Sequence, residues 1–285
     1  MTFDDIVADV RRDGPRRVAL AGQAGGPLAE ALGEAYRLGI SETTICDDAV
    51  EAVHLLRTGR AEVLMKGTVS TREFMHAVLD REAGLRTGRL VSHVALHEIG
   101  GRLLLVTDAG IVPHPTLEQK VAILENALPV ARALGIERPR VAALAGSEAV
   151  DARIPESVDA AALADMAFEG CDVQGPMALD VAVNPEAARL KGIEGPVAGR
   201  ADILLAPSVV VGNVFCKGLM QFTDCRTAGV LAGLTHPVAL LSRSDTLRTR
   251  LDTLALGVRM AQWRASGLDA PVKQGLSHSG AGLTE

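Results

Sequence analysis

The chain has 285 residues, which is enough to bury a large hydrophobic core and gives a fair expectation of two domains. Its composition, 48% hydrophobic and 22% charged, is typical of a globular protein. A net charge of −6 excludes a general attraction to polyanions, and 2% aromatic residues are too few for a platform that stacks nucleic-acid bases. We therefore predict no nucleic-acid partner, and an anionic ligand would have to be attracted by local arginines.

The cysteines and the N-terminal segment bear on location. The four cysteines form no CxxC pair and are scattered among apolar residues, which is typical of a reducing compartment: Cys46, Cys171, Cys216 and Cys225. The opening segment MTFDDIVADVRRDG lacks the apolar core of a signal peptide, and no apolar run reaches the length of a membrane span. We predict a cytoplasmic protein with no membrane partner.

In chain order, short apolar runs that predict strands alternate with amphipathic runs that predict helices. The predicted strands are 16–22, 61–67, 89–99, 101–110, 140–146, 171–177, 201–207 and 229–242. The predicted helices are 27–39, 70–80, 116–136 with a Thr N-cap, 156–169, 178–191, 212–225 and a last helix with Leu247, Leu251, Leu254 and Val258 on one face. This alternation predicts an α/β fold around a mainly parallel sheet.

In such sheets, ligands bind beyond the carboxyl ends of strands, so the motifs at predicted strand ends are candidate binding sites. The stretch LMKGTVST (64–71) ends a strand with Lys66-Gly67 and opens a helix with Ser70 and Thr71. An ammonium group, a small residue and the N–H groups of a first helical turn together make a cradle for an oxyanion. A capped helix beside a solvated lysine is the alternative.

The stretch GLRTGRLVSH (84–93) places Arg86 and Arg89 on a glycine-containing loop before a buried strand. Planar guanidinium groups on a short loop suit bidentate recognition of phosphate or carboxylate. An ordinary surface loop is the competing interpretation.

The stretch PSVVVGNVFCKGL (207–219) places Gly212-Asn213 where a helix is predicted to start, with Lys217 one turn later. This arrangement would fit an anionic or amide-bearing ligand. Asn213 as a simple helix cap explains the pattern equally well.

The stretch LLSRSDTLRTRL (240–251) crowds hydroxyl, carboxylate and guanidinium groups at a predicted strand-to-helix junction. The cluster comprises Ser242, Arg243, Ser244, Asp245, Arg248 and Arg250. Ser and Asp at such a junction usually cap the helix. The pattern alone does not separate a cap from a binding site.

Several common sites are missing from the sequence. There is no GxxxxGK[ST] phosphate loop, no GxGxxG fingerprint, no HExxH and no GxSxG. His93 and His97 stand four apart on a predicted strand, roughly 13 Å at about 3.3 Å per residue, which is too far for a shared zinc ion. We predict no metal site.

Six sequence blocks, in chain order, resemble the phosphate acetyltransferase/phosphate butyryltransferase family. The stretches RTGRLVSH and GPMALD are more similar to the butyryltransferase branch. The blocks are LMKGTVSTREF, GLRTGRLVSHVALHEI, TDAGIVPHPTLEQKVAILENA, VQGPMALDVAV, PVAGRADILLAPSVVVGNVFCKGL and VALLSRSDTLRTRLDTLAL. The resemblance implies two α/β/α domains like those of isocitrate and isopropylmalate dehydrogenases, with a cleft between them. One domain would comprise residues 1–88 plus 241–285, and the other residues 89–240.

The reaction that the resemblance implies is reversible: acyl-CoA and inorganic phosphate give acyl phosphate and free CoA, without a permanently bound cofactor. The family's serine-arginine pair falls on Ser242-Arg243, with Asp245 as candidate general base. For this reaction we predict that phosphate and acyl phosphate bind to Lys66, Gly67, Ser70, Thr71, Arg86, Arg89 and Ser92. We predict that CoA binds to Gly212, Asn213 and Lys217. The resemblance also implies a homodimer or a higher homo-oligomer.

The chain departs from the acetyltransferase pattern at three places. His76 and Gln221 fall where those enzymes carry arginines, and their catalytic aspartate falls near Arg250, so Asp245 is reached only by a short gap. Two alternatives therefore stay open: an inactive acyl-CoA-binding or regulatory protein of the same fold, and a metal- and NAD-dependent decarboxylating dehydrogenase.

Overall fold

A computed structural model describes residues 1–240, 242 and 244–267 of the chain. Within this part the strands are β1 (Arg16–Ala21), β2 (Ser41–Cys46), β3 (Val63–Lys66), β4 (Ser92–Ile99), β5 (Arg102–Thr107), β6 (Arg140–Leu144), β7 (Asp172–Met177), β8 (Ile203–Leu205), β9 (Arg226–Ala232) and β10 (Val238–Ala239). They form one ten-stranded sheet in the order β2-β1-β3-β10-β9-β4-β5-β8-β6-β7.

The described helices are α1 (Phe3–Asp13), α2 (Pro27–Arg37), α3 (Ala49–Arg57), α4 (Thr71–Leu79), α5 (Leu117–Ala133), α6 (Pro155–Asp165), α7 (Leu179–Val183), α8 (Pro185–Leu190), α9 (Val209–Phe222) and α10 (Leu247–Ala265). Helices α1, α2, α5, α6 and α10 cover one face of the sheet, and α3, α4, α7, α8 and α9 cover the other. The expected α/β class is confirmed, and the sheet is large.

The sheet consists of two parallel groups that run in opposite directions. Strands β2, β1, β3 and β10 are parallel to one another, as are β5, β8, β6 and β7. Antiparallel pairings along β10, β9, β4 and β5 join the two groups. The first group therefore ends at one edge of the sheet, here called the Lys66 edge. The second group ends at the opposite edge, here called the Thr107 edge.

The apolar core is continuous on one face and divided on the other. On the face of α1, α2, α5, α6 and α10, a single cluster of buried side chains extends across both groups of strands. On the other face, one cluster lies under α3 and α4, and a separate one lies under α7, α8 and α9. We call this divided side the cleft face, because the central strands β10, β9 and β4 lie between its two clusters.

Several of the predicted elements differ from the structure. The expected strand 229–242 is two antiparallel strands, β9 and β10, because the chain turns after Gly233, which has a φ of +85°. The expected helix 178–191 is broken where Asn184 caps a new helix that begins with Pro185. No helix or strand was predicted for residues 41–57, where the edge strand β2 has little apolar alternation and α3 follows it.

None of the described helices is both long enough and apolar enough to cross a lipid bilayer.

Candidate active site

The register of the central strands brings side chains into rows on the cleft face. One row consists of Leu64, Val238, Leu231 and His93. The same register, continued two residues along β10 and β3, gives a central row of Lys66, Leu240, Gly229 and Ala95. Within these two rows His93 and Leu240 are partly exposed, while Lys66 is 9% exposed. Solvent therefore reaches the floor between the two apolar clusters at Leu240 and His93, while the rest of these two rows is buried.

The loop after β3 closely approaches the loop after β1. The Gly67 N–H donates to the carbonyl of Ala21 over 2.9 Å, and a Cβ at Gly67 would lie 2.7 Å from that oxygen and 2.9 Å from the carbonyl of Gln23. A glycine is therefore required at position 67 by the close approach of the loop after β1, without any ligand. Lys66, whose Nζ donates to the Gly67 carbonyl over 3.3 Å, lies on the floor at this position.

The hydroxyl of Ser70 caps α4. Ser70 Oγ accepts the Glu73 N–H over 3.1 Å, and Glu73 Oε2 accepts the Ser70 N–H over 3.0 Å, which is a capping box. These bonds lower the pKa of Glu73. The structure thus gives Ser70 the capping role of the alternative interpretation. Thr71 is the first residue of α4, so the N-terminus of that helix lies at the Lys66 edge beside Lys66.

The segment that begins at Ser242 also lies at the Lys66 edge, immediately after β10. Asp245 Oδ2 accepts the Ser242 N–H over 2.7 Å, and the hydroxyls of Ser242 and Ser244 are 3.2 Å apart. The cap of α10 is Thr246, whose Oγ1 accepts the Thr249 N–H over 3.1 Å. Capping of α10 thus leaves the side chains of Ser242 and Asp245 available for another role.

Arg243, which the sequence analysis pairs with Ser242, lies outside the described residues, as do Leu241 and residues 268–285.

The carboxylate of Asp245 is half-buried, and burial raises its pKa. The hydrogen bond from Ser242 and the charges of Arg250 and Lys217 oppose that rise. Arg250 is held here because its Nε donates to the Asp245 carbonyl over 3.1 Å. The influence of Lys217 is informative because this residue belongs to α9, across the cleft face from Asp245. A carboxylate with a raised pKa beside two cations can take up a proton near neutral pH more readily than an ordinary aspartate.

The expectation that α9 starts at Gly212-Asn213 is wrong, because the helix begins at Val209 and its cap is Ser208. Gly212 is buried against the backbone of Asp108 and Ala109, and Asn213 Nδ2 donates to the Ala109 carbonyl over 3.2 Å. These two residues therefore attach α9 to the loop after β5.

Lys217 is exposed, a turn beyond this anchored end of α9. The attachment of the helix determines where its ammonium group lies relative to the cleft.

The loop before β4 lies at the Thr107 edge, away from Lys66. Arg86 forms a backbone bridge with Leu234, which lies beyond the end of β9, and Ala232, the last residue of β9, is three residues from Gly229 of the central row, roughly 10 Å at about 3.3 Å per residue. The side chain of Arg89 is exposed and pairs with Glu125 of α5 over 3.3 Å. The structure therefore does not bring these two arginines together with Lys66.

Ser92 points to the other face of the sheet. It is fully buried, and its Oγ accepts a hydrogen bond from Asn126 Nδ2 of α5 over 3.1 Å. Because that hydroxyl lies under α5, the placement of Ser92 gives no support to the phosphate contact expected of it.

The floor contains one partly exposed residue that the sequence analysis did not include in the site, His93 in the first row. Thr227 and His97, which follow beyond the central row on the same face, are buried in the protein and do not line the site. The alternation along the predicted strand 89–99 puts both histidines on one face, but it does not show which other strands flank them. Within the described residues, no three His, Cys, Asp or Glu side chains are grouped so that they could hold a metal ion.

Comparison with known proteins gives consistent matches. A family model described as "Phosphate acetyl/butaryl transferase" matches residues 29–258. The chain is 37% identical to the phosphate butyryltransferase of Clostridium acetobutylicum, over 91% of this chain and 98% of that protein. It is 43% identical to a phosphate acetyltransferase of Rhizobium meliloti, over 79% and 73% of the two chains. The crystal structure of a branched-chain phosphotransacylase from Enterococcus faecalis V583 superposes with a TM-score of 0.80 at 30% identity, covering 86% of this chain and 99% of that one.

Proposed function

Because the chain belongs to the phosphate acetyl/butyryltransferase family, we propose that its cleft transfers a short-chain acyl group reversibly between CoA and inorganic phosphate. The chain is a phosphate acyltransferase, and the resemblance found in its sequence is confirmed. The observation that carries the assignment is the family match over residues 29–258, a range that includes Lys66, Ser242 and Asp245. Butyryl and acetyl groups are the proposed acyl groups.

In the proposed mechanism the CoA thiolate attacks the carbonyl carbon of the acyl phosphate directly. A thiol with a pKa near about 8.5 is a weak nucleophile until it loses its proton. Asp245 is the proposed general base, a role that contributes about 10²–10⁴ in rate. Its half-buried carboxylate and raised pKa support this assignment. Ser242 then holds the sulfur or donates to the collapsing intermediate.

Phosphate is proposed to bind at the Lys66 edge. Lys66 and the N-terminus of α4 supply positive potential from one side, and Lys217 supplies it from the other. Arg243 would add a guanidinium group there, but it lies outside the described residues. Gly67, Ser70 and Thr71 shape this loop, and Lys217 with the anchored end of α9 is proposed to hold CoA.

A finer architecture also belongs to this proposal. We propose two domains, residues 1–88 plus 241–285 and residues 89–240, arranged as in isocitrate and isopropylmalate dehydrogenases with the cleft between them. The two separate apolar clusters on the cleft face support this division, although one sheet joins the halves. We further propose a cytoplasmic homodimer that uses CoA as a substrate and needs no resident metal or redox cofactor for the reaction as written.

The test is phosphate-dependent release of free thiol from acyl-CoA by the purified full chain. Acetyl-, propionyl-, butyryl- and valeryl-CoA are compared with and without inorganic phosphate, and acyl phosphate is trapped as its hydroxamate. We expect thiol release only with phosphate, with the chain-length preference read from kcat/KM. An inactive binding protein would release no thiol from any of the four, and that result would refute the proposal.

The order of bond formation has its own test. Direct attack predicts a ternary complex, so the enzyme should carry no acyl label after incubation with labelled acyl-CoA and removal of free CoA. Label that survives denaturation would show a covalent intermediate and contradict direct attack.

A further inference from the structure

The side chain of His93 occupies the open part of the cleft floor. Its row neighbours Leu231 and Val238 are buried, whereas His93 is partly exposed. The next row toward the Lys66 edge is the central row, which contains Lys66 and Leu240. An imidazole at this position lies between the proposed phosphate site and the second half of the molecule.

Two glycines make room for the ring. A Cβ on Gly229 would lie 2.6 Å from His93 Nε2, and a Cβ on Gly110 would lie 3.4 Å from His93 Cγ. The ring therefore leans over the backbone of Gly229, from its own row into the central row, and the backbone of Gly110 packs against it. A side chain at Gly229 would displace the Nε2 end of the ring.

The backbone of His93 is fixed by the loop after β5. The His93 N–H donates to Asp108 Oδ1 over 3.2 Å, and Thr107 Oγ1 donates to the His93 carbonyl over 3.1 Å. The same Asp108 carboxylate accepts the N–H groups of Gly110, Ile111 and Val112. These bonds fix the backbone from which the imidazole projects, and the packing of Gly110 and Gly229 limits the positions of the ring before any substrate binds. A donor positioned in advance is the condition for electrostatic catalysis.

The two ring nitrogens have different surroundings. Nδ1 is buried and has no hydrogen-bond partner among the described residues, and Nε2 is the nitrogen at the open side of the ring. Burial lowers the pKa of His93, and the charge of Asp108 opposes this shift only in part, so the ring is neutral. A neutral imidazole has one N–H, and a proton on Nδ1 would bury a donor without a partner. The stable tautomer therefore carries its proton on Nε2, toward the cleft.

We propose that His93 Nε2–H donates a hydrogen bond to the acyl carbonyl oxygen and stabilises the negative charge that develops there, a role that rests on the proposed function. As the thiolate forms the new C–S bond, the π electrons of the carbonyl move to oxygen. When the carbonyl re-forms, the C–O bond to phosphorus-bound oxygen breaks and phosphate leaves. His93 keeps its proton throughout.

The experiment compares His93→Ala and His93→Gln with a matched control, His97→Leu. His97 lies on the same strand and face, but it is fully buried and both of its ring nitrogens lack partners among the described residues, so it cannot reach substrate. Loss of one oxyanion donor predicts a fall in kcat of about 10²–10³ for His93→Ala, with the KM for CoA and for acyl phosphate within about twofold of wild type. His93→Gln, which restores an N–H donor, should recover about tenfold of that loss. His97→Leu should keep the wild-type kcat.

A fourth variant tests the position of the ring without removing it. Gly229→Ala displaces Nε2 and should lower kcat in the same direction as His93→Ala. If circular dichroism shows that His93→Ala does not fold, the kcat values of Gly229→Ala and His93→Gln replace it in the test. An active wild type whose His93 variants keep their kcat, or change only in KM, would overturn the role of His93 and leave the proposed function standing. A wild type without phosphate-dependent thiol release would instead overturn the proposed function.

Discussion

Two basic, glycine-containing loops of this protein look alike in sequence and differ in the structure. The loop that begins at Lys66 follows a strand of the first parallel group, and the loop that contains Arg86 and Arg89 precedes β4. Because β4 runs in the same direction as β3, the residues before β4 lie at the Thr107 edge, whereas Lys66 ends β3 at the Lys66 edge. The direction of the adjoining strand, rather than the composition of a loop, therefore decides which charges meet.

The two edges also differ in how their charges are used. Near the Thr107 edge, buried Lys120 pairs with Asp159 over 2.7 Å, and Asp108 is saturated by backbone N–H groups. At the Lys66 edge, Lys217 forms no ion pair within 4.0 Å among the described residues, and burial raises the pKa of Asp245. Charges that neutralise each other stabilise the fold, whereas a half-buried carboxylate with a raised pKa facing cations is suited to proton transfer.

The largest expected effect follows from changing Asp245. Asp245→Asn keeps an oxygen that can accept the Ser242 N–H but cannot take up the thiol proton. We expect kcat for acyl transfer from acyl phosphate to CoA to fall by about 10²–10⁴. Initial rates of thiol consumption at saturating substrates measure this.

A matched control for Asp245→Asn lies at the Thr107 edge. Asp80 Oδ1 also accepts backbone N–H groups, those of Glu82 and Ala83. Asp80→Asn is the same chemical change in a similar turn, and we expect it to keep the wild-type kcat. If Asp245→Asn kept more than about a tenth of wild-type kcat, the general base would have to be another group.

The second effect concerns phosphate. Lys66→Gln removes the ammonium group from the cleft floor and should raise the KM for phosphate by about 10- to 100-fold, since a hydrogen bond to a charged group contributes about 1.5–3 kcal/mol. Lys66→Arg keeps the charge and should lie between wild type and Lys66→Gln. The rate of thiol release from butyryl-CoA, measured against phosphate concentration, gives these values. An unchanged KM in Lys66→Gln would remove Lys66 from the phosphate site.

The fold class and one side of the site could be predicted from the sequence because both depend on local patterns. Apolar runs predict strands, and the predicted N-cap Thr116 forms a capping box with Gln119. Lys66 is the last residue of an apolar run, so its position at the end of a strand could be predicted. The other side could not be predicted. Arg86 lies far from Lys66 because β10 pairs with β3 and β9 pairs with β10. At least 159 residues separate β3 from these two strands in the chain, and no local sequence pattern encodes such pairing.

The hydrogen-bond partners of individual polar side chains could not be predicted from the sequence either. Whether a hydroxyl caps a helix or faces a ligand depends on which N–H groups lie near it after folding. Ser70 caps α4, whereas Thr246 rather than Ser242 caps α10. The sequence offers His93 only as a possible metal ligand, because the glycine over which its ring leans is contributed by a strand far along the chain.

A smaller effect concerns stability and pH. A folded-state pKa of Asp245 above its ordinary value means that the folded protein binds this proton more tightly than the unfolded chain. The ionised carboxylate therefore costs stability at neutral pH, and this cost shrinks as the pH falls through the raised pKa and is gone below the ordinary aspartate pKa of about 4. Asp245→Asn should raise Tm at pH 7.5 by about 1–3 °C, and the difference from wild type should shrink as the pH is lowered toward about 4. A Tm difference that grows on acidification would contradict this sign.

The smallest effect is expected at the Thr107 edge, and it tests the comparison most directly. Arg89 is exposed and paired with Glu125, so Arg89→Gln loses a surface ion pair that contributes about 0.2–1 kcal/mol. The KM for phosphate should stay within about twofold of wild type, and so should that of Arg86→Gln, because the backbone bridge to Leu234 places Arg86 at the Thr107 edge. The same phosphate titration used for Lys66 measures both. If either variant raised the KM as much as Lys66→Gln does, the two edges would have to meet during catalysis, and a domain movement that closes the molecule would be required.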